Sequence, residues 1–354
     1  MSLPTEQVGS IPRPLELLDA IDRAQKGELS GSALAEAYDA ALSDTITRLE
    51  ATGSPVISDG EQSKPSFATY PLAGLESLSP DGVEIPFEDG HVRQLPAISE
   101  GPFRYQVYSE SFLRPALEMA HVPVKQAVIS ASAMSLLYPP HGLEGYSQEQ
   151  FNADVVNEVT RDIRGSLDAG AHNVQMDFTE GRLALKLDPS GGLLDAFIAI
   201  NNAVFANFGP EDRPRLGVHT CPGGDHDSAH SSDVDYAGLL PALFGLDATN
   251  FYIQLASESD PDRVLGIIGE NIRPGQRAFI GVIDPIDPEI ESPELVRERI
   301  LRAAQYIPLE QLGTTDDCGF SPFADDISTA RDLAFAKIAA RVEGTALAAA
   351  ELGI

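Results

Sequence analysis

The sequence holds little that would suit a membrane, a nucleic acid or an oxidising compartment. No apolar run approaches the roughly 20 residues that cross a bilayer, which excludes a transmembrane helix. The first residues lack a charged-then-apolar leader pattern, so a cytoplasmic location is expected. Basic residues are scarce: 24 Lys and Arg against 54 Asp and Glu give a net charge of -30. Such a surface repels nucleic acid and anionic lipid, and aids solubility without bearing on fold. Cysteine occurs only as Cys221 and Cys318, too few for a disulfide framework and unlikely to be bridged under reducing conditions. No Gly-x-Gly-x-x-Gly follows the first apolar run, which disfavours a dinucleotide-binding fold. Nor is there a Pro/Ser-rich linker or low-complexity stretch. The 354 residues, 43% of them hydrophobic, can bury a sizeable core, and one domain over residues 1–354 is the simplest organisation.

What is present is alternation. Short β-like runs end in polar residues and are followed by longer helical stretches. The runs are QVGSI, PVISDGE, QAVISAS (126–132), HNVQMDF (172–178), RLGVHTC (215–221), NFYIQLA (250–256), RAFIGVID (277–284) and QLGTTDDCGF (311–320). Helices are expected over 31–52, 147–169, 191–207, 234–245, 260–271, 293–305 and 325–349. Repeated strand-helix units argue for a parallel sheet, and about eight of them for an α/β fold of the (β/α)8, or TIM, barrel type. Residues 82–108, with Gly-rich turns and alternating apolar residues, are expected to form a β-hairpin insertion.

The unusual polar residues sit at the predicted C-terminal strand ends: Gly9-Ser10, Asp59 and Glu61, Asp177, His219 and Cys221, Gln254, Asp284, Asp317-Cys318. In this barrel that rim is where active sites are built. His219 and Cys221 are two apart on a strand end, so both side chains point the same way. Cys318 ends a later strand at the same rim. One imidazole and two thiolates suit zinc, which lowers the pKa of a bound thiol and so generates a thiolate nucleophile. His226 and His230, in the polar loop CPGGDHDSAHSSD, read as solvated loop residues.

These residues resemble those of the catalytic barrel of the cobalamin-independent methionine synthase family, in particular its short single-barrel relatives. VGSIPRP (8–14), SDGEQ (58–62), VQMD (174–177), HTC (219–221) and DCGF (317–320) are similar to five family motifs in the family's order, over almost the whole chain. The resemblance implies a Zn2+-dependent methyltransferase, with the metal on His219, Cys221 and Cys318. The family's fourth ligand, a Glu, falls at Gln254. Gln254, a water it orients, or Glu258 would complete the site. The resemblance also implies that Gly9, Ser10, Glu61 and Asp177 hold homocysteine, the two carboxylates gripping its ammonium group. Methionine would be the product, and the donor 5-methyltetrahydrofolate or a related methyl carrier.

The chain departs from the family elsewhere. Long members use a folate-stacking Trp, and here Leu136, Leu137 and Tyr138 occupy that neighbourhood. Two other functions compete. An epoxyalkane:coenzyme M transferase-like enzyme would need cations for a sulfonate, with Arg13, Lys64 and Arg182 as candidates. A metal- or methyl-carrier-binding protein without catalysis would consume no thiol. No residue is assigned as catalytic acid, with His141 and Asp284 as the only candidates, and the oligomeric state is left open.

Overall fold

The computed structural model describes residues 3–354. Six parallel strands form one continuous sheet: β1 (Gln126–Ile129), β2 (Val174–Asp177), β3 (Leu216–Thr220), β4 (Asn250–Ile253), β5 (Arg277–Ile283) and β6 (Leu312–Asp316), each bonded to the next in chain order. All but the first residue of β5 are buried. Strands covered on both faces read as apolar runs rather than alternating ones, as these do.

Two further staves close the ring. Thr5 bridges in parallel to Thr314 on β6, and Ile57 bridges in parallel to Val124 just before β1. The two are joined to each other: Gln7 Nε2 donates to Ser58 Oγ (2.9 Å), Ser58 Oγ donates to the Gly9 carbonyl (2.7 Å), and the Ile11 N–H donates to the Gly60 carbonyl (3.0 Å). The result is an eight-staved α/β barrel. Of QVGSI and PVISDGE, expected as strands, the second holds one bridge, at Ile57, and the first none, its stave being bridged two residues earlier at Thr5. Pro12 and Pro55 have no N–H to give a ladder, and side chains such as Gln62, whose Nε2 donates to the Ile11 carbonyl at 2.9 Å, replace backbone pairing.

Helices cover the outside. Helix Gln148–Ala169 starts with a capping box of Ser147 and Gln150, a motif that satisfies two free N–H groups at once. The last helix, Arg331–Leu352, packs on helix Pro293–Ala303. At their contact a Cβ on Gly344 would lie 2.5 Å from the Val296 side chain, so only glycine permits the approach. That last helix begins six residues later than its periodicity suggests, because 325–330 form a loop against the rim. The expected helix over 234–245 is two short turns, Tyr236–Gly238 and Leu240–Leu243.

The insertion is a hairpin of Glu84–Pro86 against Val92–Gln94, flanked by Leu78–Ser79 against Ala97–Ile98. Its pairing stops at Ile98, short of residue 108. It leans on the rim: the Glu88 N–H donates to the Ala229 carbonyl (3.0 Å) and Arg93 pairs with Asp225 and Asp325. Among the described residues no helix is long and apolar enough to cross a membrane.

Candidate metal centre and acceptor cleft

β3 ends by turning His219 and Cys221 toward the barrel axis, and the segment after β6 brings in Cys318. One ligand atom from each lies within 4.8 Å of the other two. Cys221 Sγ and Cys318 Sγ are 3.4 Å apart and both cysteines are free. That is far beyond the roughly 2.05 Å of a disulfide. His219 Nδ1 donates to the Tyr252 carbonyl on β4 (3.1 Å), which fixes the tautomer with the lone pair on Nε2. Nε2 is buried and has no hydrogen-bond partner. A buried nitrogen lone pair facing two sulfurs is the donor set of a zinc site, so the residues present fit the metal.

Charge in the cluster supports the same reading. The hydrogen bond from Cys221 holds the Cys318 thiol well below its ordinary range, against burial and with help from His219. The same bond, together with burial, pushes Cys221 well up. Burial disfavours a charged His219, but Cys318 and Asp177 outweigh it and raise its pKa. Metal binding would release whatever protons these three groups still hold.

One cleft is lined by Gly9, Ser10, Glu61, Asp177, His219 and Cys318. Cys221 lies fully buried behind it. Ser10 Oγ accepts the Ser321 N–H (3.1 Å), and a Cβ on Gly319 would fall 2.1 Å from that oxygen. Glycine at 319 is thus what lets the segment after Cys318 close on the first stave. Glu61 has φ of +55°, rare for a residue with a side chain. Arg13 stabilises that turn by donating to the carbonyls of Glu61 and Lys64 (2.7 Å each), and Asp59 Oδ1 accepts the Glu61 N–H (2.9 Å). Held strain of this kind clusters at functional sites.

Glu61 and Asp177 line the same cleft and repel each other. Burial drives the Asp177 carboxyl up to about 7, with Glu61 adding to the rise and His219, Gln175 and Lys64 opposing it. Burial also raises Glu61, which Lys64 partly offsets. An incoming ammonium would favour the charged form of both.

The three cations considered for a sulfonate are otherwise engaged. Arg13 is spent on backbone carbonyls. Lys64 Nζ donates to Glu61 Oε1 (3.1 Å) and the Ala127 carbonyl (2.9 Å), and Arg182 pairs with Glu258 (2.8 Å) and the Val234 carbonyl. Gln254 is buried beside the metal cluster, but its amide is bonded to Arg182 and Ser257. Of the two candidate acids, His141 is exposed and Asp284 is held at the base of the next loop by Glu291 and Ile286; neither lines the cleft.

The sequence did not point to a second space. A cavity of about 500 Å³ adjoins the cleft, sharing Phe67, Thr179, Gly223 and Gly224 with it. That volume suits a small-molecule ligand. The hairpin roofs it through Ile85, Phe87 and Leu95, Leu136 lines one wall, and His230 reaches it. Glu180, three residues beyond Asp177, also faces it. Its Oε1 accepts from Ser130 Oγ (2.6 Å) and from Ser132, while its buried Oε2 has no partner. His226 lies elsewhere, with Asp225 and Asp326 under the hairpin.

No family model matches the chain. It is 23% identical to a methionine synthase of Saccharolobus solfataricus over 99% of this chain and 96% of that protein. It is 24% identical to a 5-methyltetrahydropteroyltriglutamate–homocysteine methyltransferase of Trichodesmium erythraeum, over 97% of this chain but only 44% of that longer protein. The structure of a B12-independent methionine synthase from Shewanella sp. W3-18-1, solved with selenomethionine, superposes with a TM-score of 0.77 at 19% identity, covering 99% of each chain. In its barrel, in the order of its motifs and in sequence over nearly its whole length, the chain is similar to these methionine synthases.

Proposed function

We propose that this chain is a zinc-dependent methyltransferase that methylates the sulfur of homocysteine to give methionine, working as one catalytic barrel domain. The observation that carries the reading is the meeting of the His219 imidazole and the two cysteine sulfurs, with one ligand atom of each within 4.8 Å of the others, at the cleft that Glu61 and Asp177 line. Zinc, when bound, activates the acceptor sulfur as a thiolate at neutral pH. The chain's own residues do the rest. Glu61 and Asp177 receive the ammonium group, Ser10 and the Gly9 backbone bound the other end of the acceptor, and the barrel mouth aligns donor and sulfur. Positioning of this kind supplies much of a transfer rate. The adjoining cavity receives the methyl donor, a methyltetrahydrofolate or a related carrier. A reducing, cytoplasmic setting keeps both thiols available.

The paired carboxylates and the absence of a free cation in the cleft favour an amino-acid thiol over coenzyme M. The test is methyl transfer by zinc-loaded protein to homocysteine and to coenzyme M, with several donors. Product from homocysteine alone supports the reading, and turnover of coenzyme M with an epoxide would overturn it.

A further inference from the structure

Gln254 follows β4, and its N–H donates to the Thr220 carbonyl (3.2 Å), between His219 and Cys221 on the next strand. It stands where the resemblance puts the fourth ligand. Yet both ends of its amide are taken. Oε1 accepts from Arg182 Nη1 (3.3 Å) and Nε2 donates to Ser257 Oγ (2.7 Å). Ser257 is itself fixed, because its N–H and its hydroxyl both donate to Asp317 Oδ2 (2.8 Å each). Asp317 Oδ1 accepts the N–H groups of Leu255 and Ala256, so the whole turn after β4 is tied down.

Arg182 is equally immobile. It is 4% exposed, its Nε and Nη2 donate to the Val234 carbonyl (3.1 and 2.6 Å), and its guanidinium lies 4.7 Å over the Tyr236 ring. Its Nη1 also pairs with Glu258 at 2.8 Å, which engages the other side chain considered as a fourth ligand. Among the described residues, the only His, Cys, Asp and Glu side chains gathered at this point are His219, Cys221 and Cys318.

We propose that Arg182 is a positioning residue that keeps both Gln254 and Glu258 off the metal. On that basis three protein ligands hold the ion and the acceptor thiol takes a free place without displacing a side chain. This rests on the zinc reading above. The physical reasons are two. Turning the Gln254 oxygen to the ion would break two buried hydrogen bonds, and a neutral amide oxygen is a poor exchange on an ion that already carries two thiolates. An open position is also what separates catalytic from structural zinc sites. Two thiolates and one imidazole leave a divalent ion neutral overall, so an incoming thiolate meets no net negative charge.

The probe is Co2+ in place of zinc in the full chain, read by its absorption spectrum before and after adding homocysteine. The parent should show cobalt–sulfur charge transfer, which rises when homocysteine adds a third sulfur. Gln254→Ala should leave the thiol-free spectrum as in the parent. Arg182→Met should change that spectrum, as a fourth protein ligand joins, and weaken thiol affinity about tenfold. Adding Gln254→Ala and Glu258→Gln to Arg182→Met should restore the parental spectrum, which a merely structural role for Arg182 would not allow. A thiol-free spectrum altered by Gln254→Ala would make Gln254 a ligand and overturn the proposal, and that variant decides the matter even if Arg182→Met fails to fold. A parent chain with no cobalt–sulfur band would instead overturn the zinc reading beneath it.

Discussion

Glu6 and Asp177 are carboxylates buried to the same degree in one barrel, each 5% exposed. Glu6 lies in the layer at the N-terminal ends of the strands. Burial pushes its carboxyl up, but Lys125 at 3.4 Å, the Tyr252 hydroxyl at 2.6 Å and Asn173 at 2.9 Å outweigh it, and its pKa falls. Asp177 lies at the opposite rim, where Gln175 is its hydrogen-bond donor (2.7 Å) and a second carboxylate is its neighbour, and its pKa climbs to about 7. The lower layer is a paired polar network whose role is to fill the barrel. The upper layer leaves Asp177 without the cation that Glu6 has, and His219 Nε2 without a hydrogen-bond partner. Equal burial with unequal pairing is what marks a site waiting for a ligand.

The comparison can be broken first at the metal. Cys318→Ala should lose zinc and drop methyl transfer by on the order of 10³-fold, since a bound metal supplies several kcal/mol. It should stay folded, because the residue sits at the rim and not in the core. Metal analysis and circular dichroism decide this, and full zinc retention would remove Cys318 from the site.

In the lower layer the consequence should be the reverse. Lys125→Met leaves Glu6 buried without its cation and should cost about 3–5 kcal/mol of stability. The zinc content and homocysteine affinity of whatever remains folded should match the parent. Denaturant unfolding alongside a homocysteine titration measures both.

Asp177→Asn should weaken homocysteine binding by about 1.5–3 kcal/mol, the worth of a hydrogen bond to a charged group, and leave zinc content unchanged. It should not destabilise the chain above pH 7. In the folded chain Asp177 keeps its proton up to about 7, against an ordinary 3.8. Between those values the folded state binds the extra proton, so this group's contribution to stability falls as pH rises. An Asn variant that is less stable at pH 8 would mean that Asp177 is a structural carboxylate like Glu6.

The smallest effect is the pH dependence of that difference. The affinity gap between parent and Asp177→Asn should be nearly closed at pH 5, where Asp177 is neutral, and fully open at pH 8.5. A gap that is the same at both values would show that the ammonium does not meet this carboxylate.

Much of this was legible in the chain. A repeated strand-helix rhythm marks a barrel because only parallel strands need such crossovers. Polar residues at seven apolar run ends mark its rim. His219 and Cys221 shared a side because a strand has a period of two, and Ser10, Glu61, Asp177 and Cys318 then met at one cleft because each closes a stave. The first two staves were overestimated, since the hydrogen bonds of Ser58 and Gln62 that replace a ladder there are side-chain choices that leave no periodic trace. Likewise Glu180, Phe67 and the roof made by the hairpin carry no spacing signal, because they come from unrelated stretches of chain.

Local sequence therefore determined which side chains reach the rim, through strand period and strand order. What each of them does there was decided only by tertiary packing. Nothing within a few residues of Gln254 indicates that Arg182 would hold its amide, and nothing near Glu6 indicates that Lys125 would pair with it. Hydrogen bonding and charge pairing depend on ångström-scale separation between segments far apart in the chain, and that separation exists only once the barrel has closed.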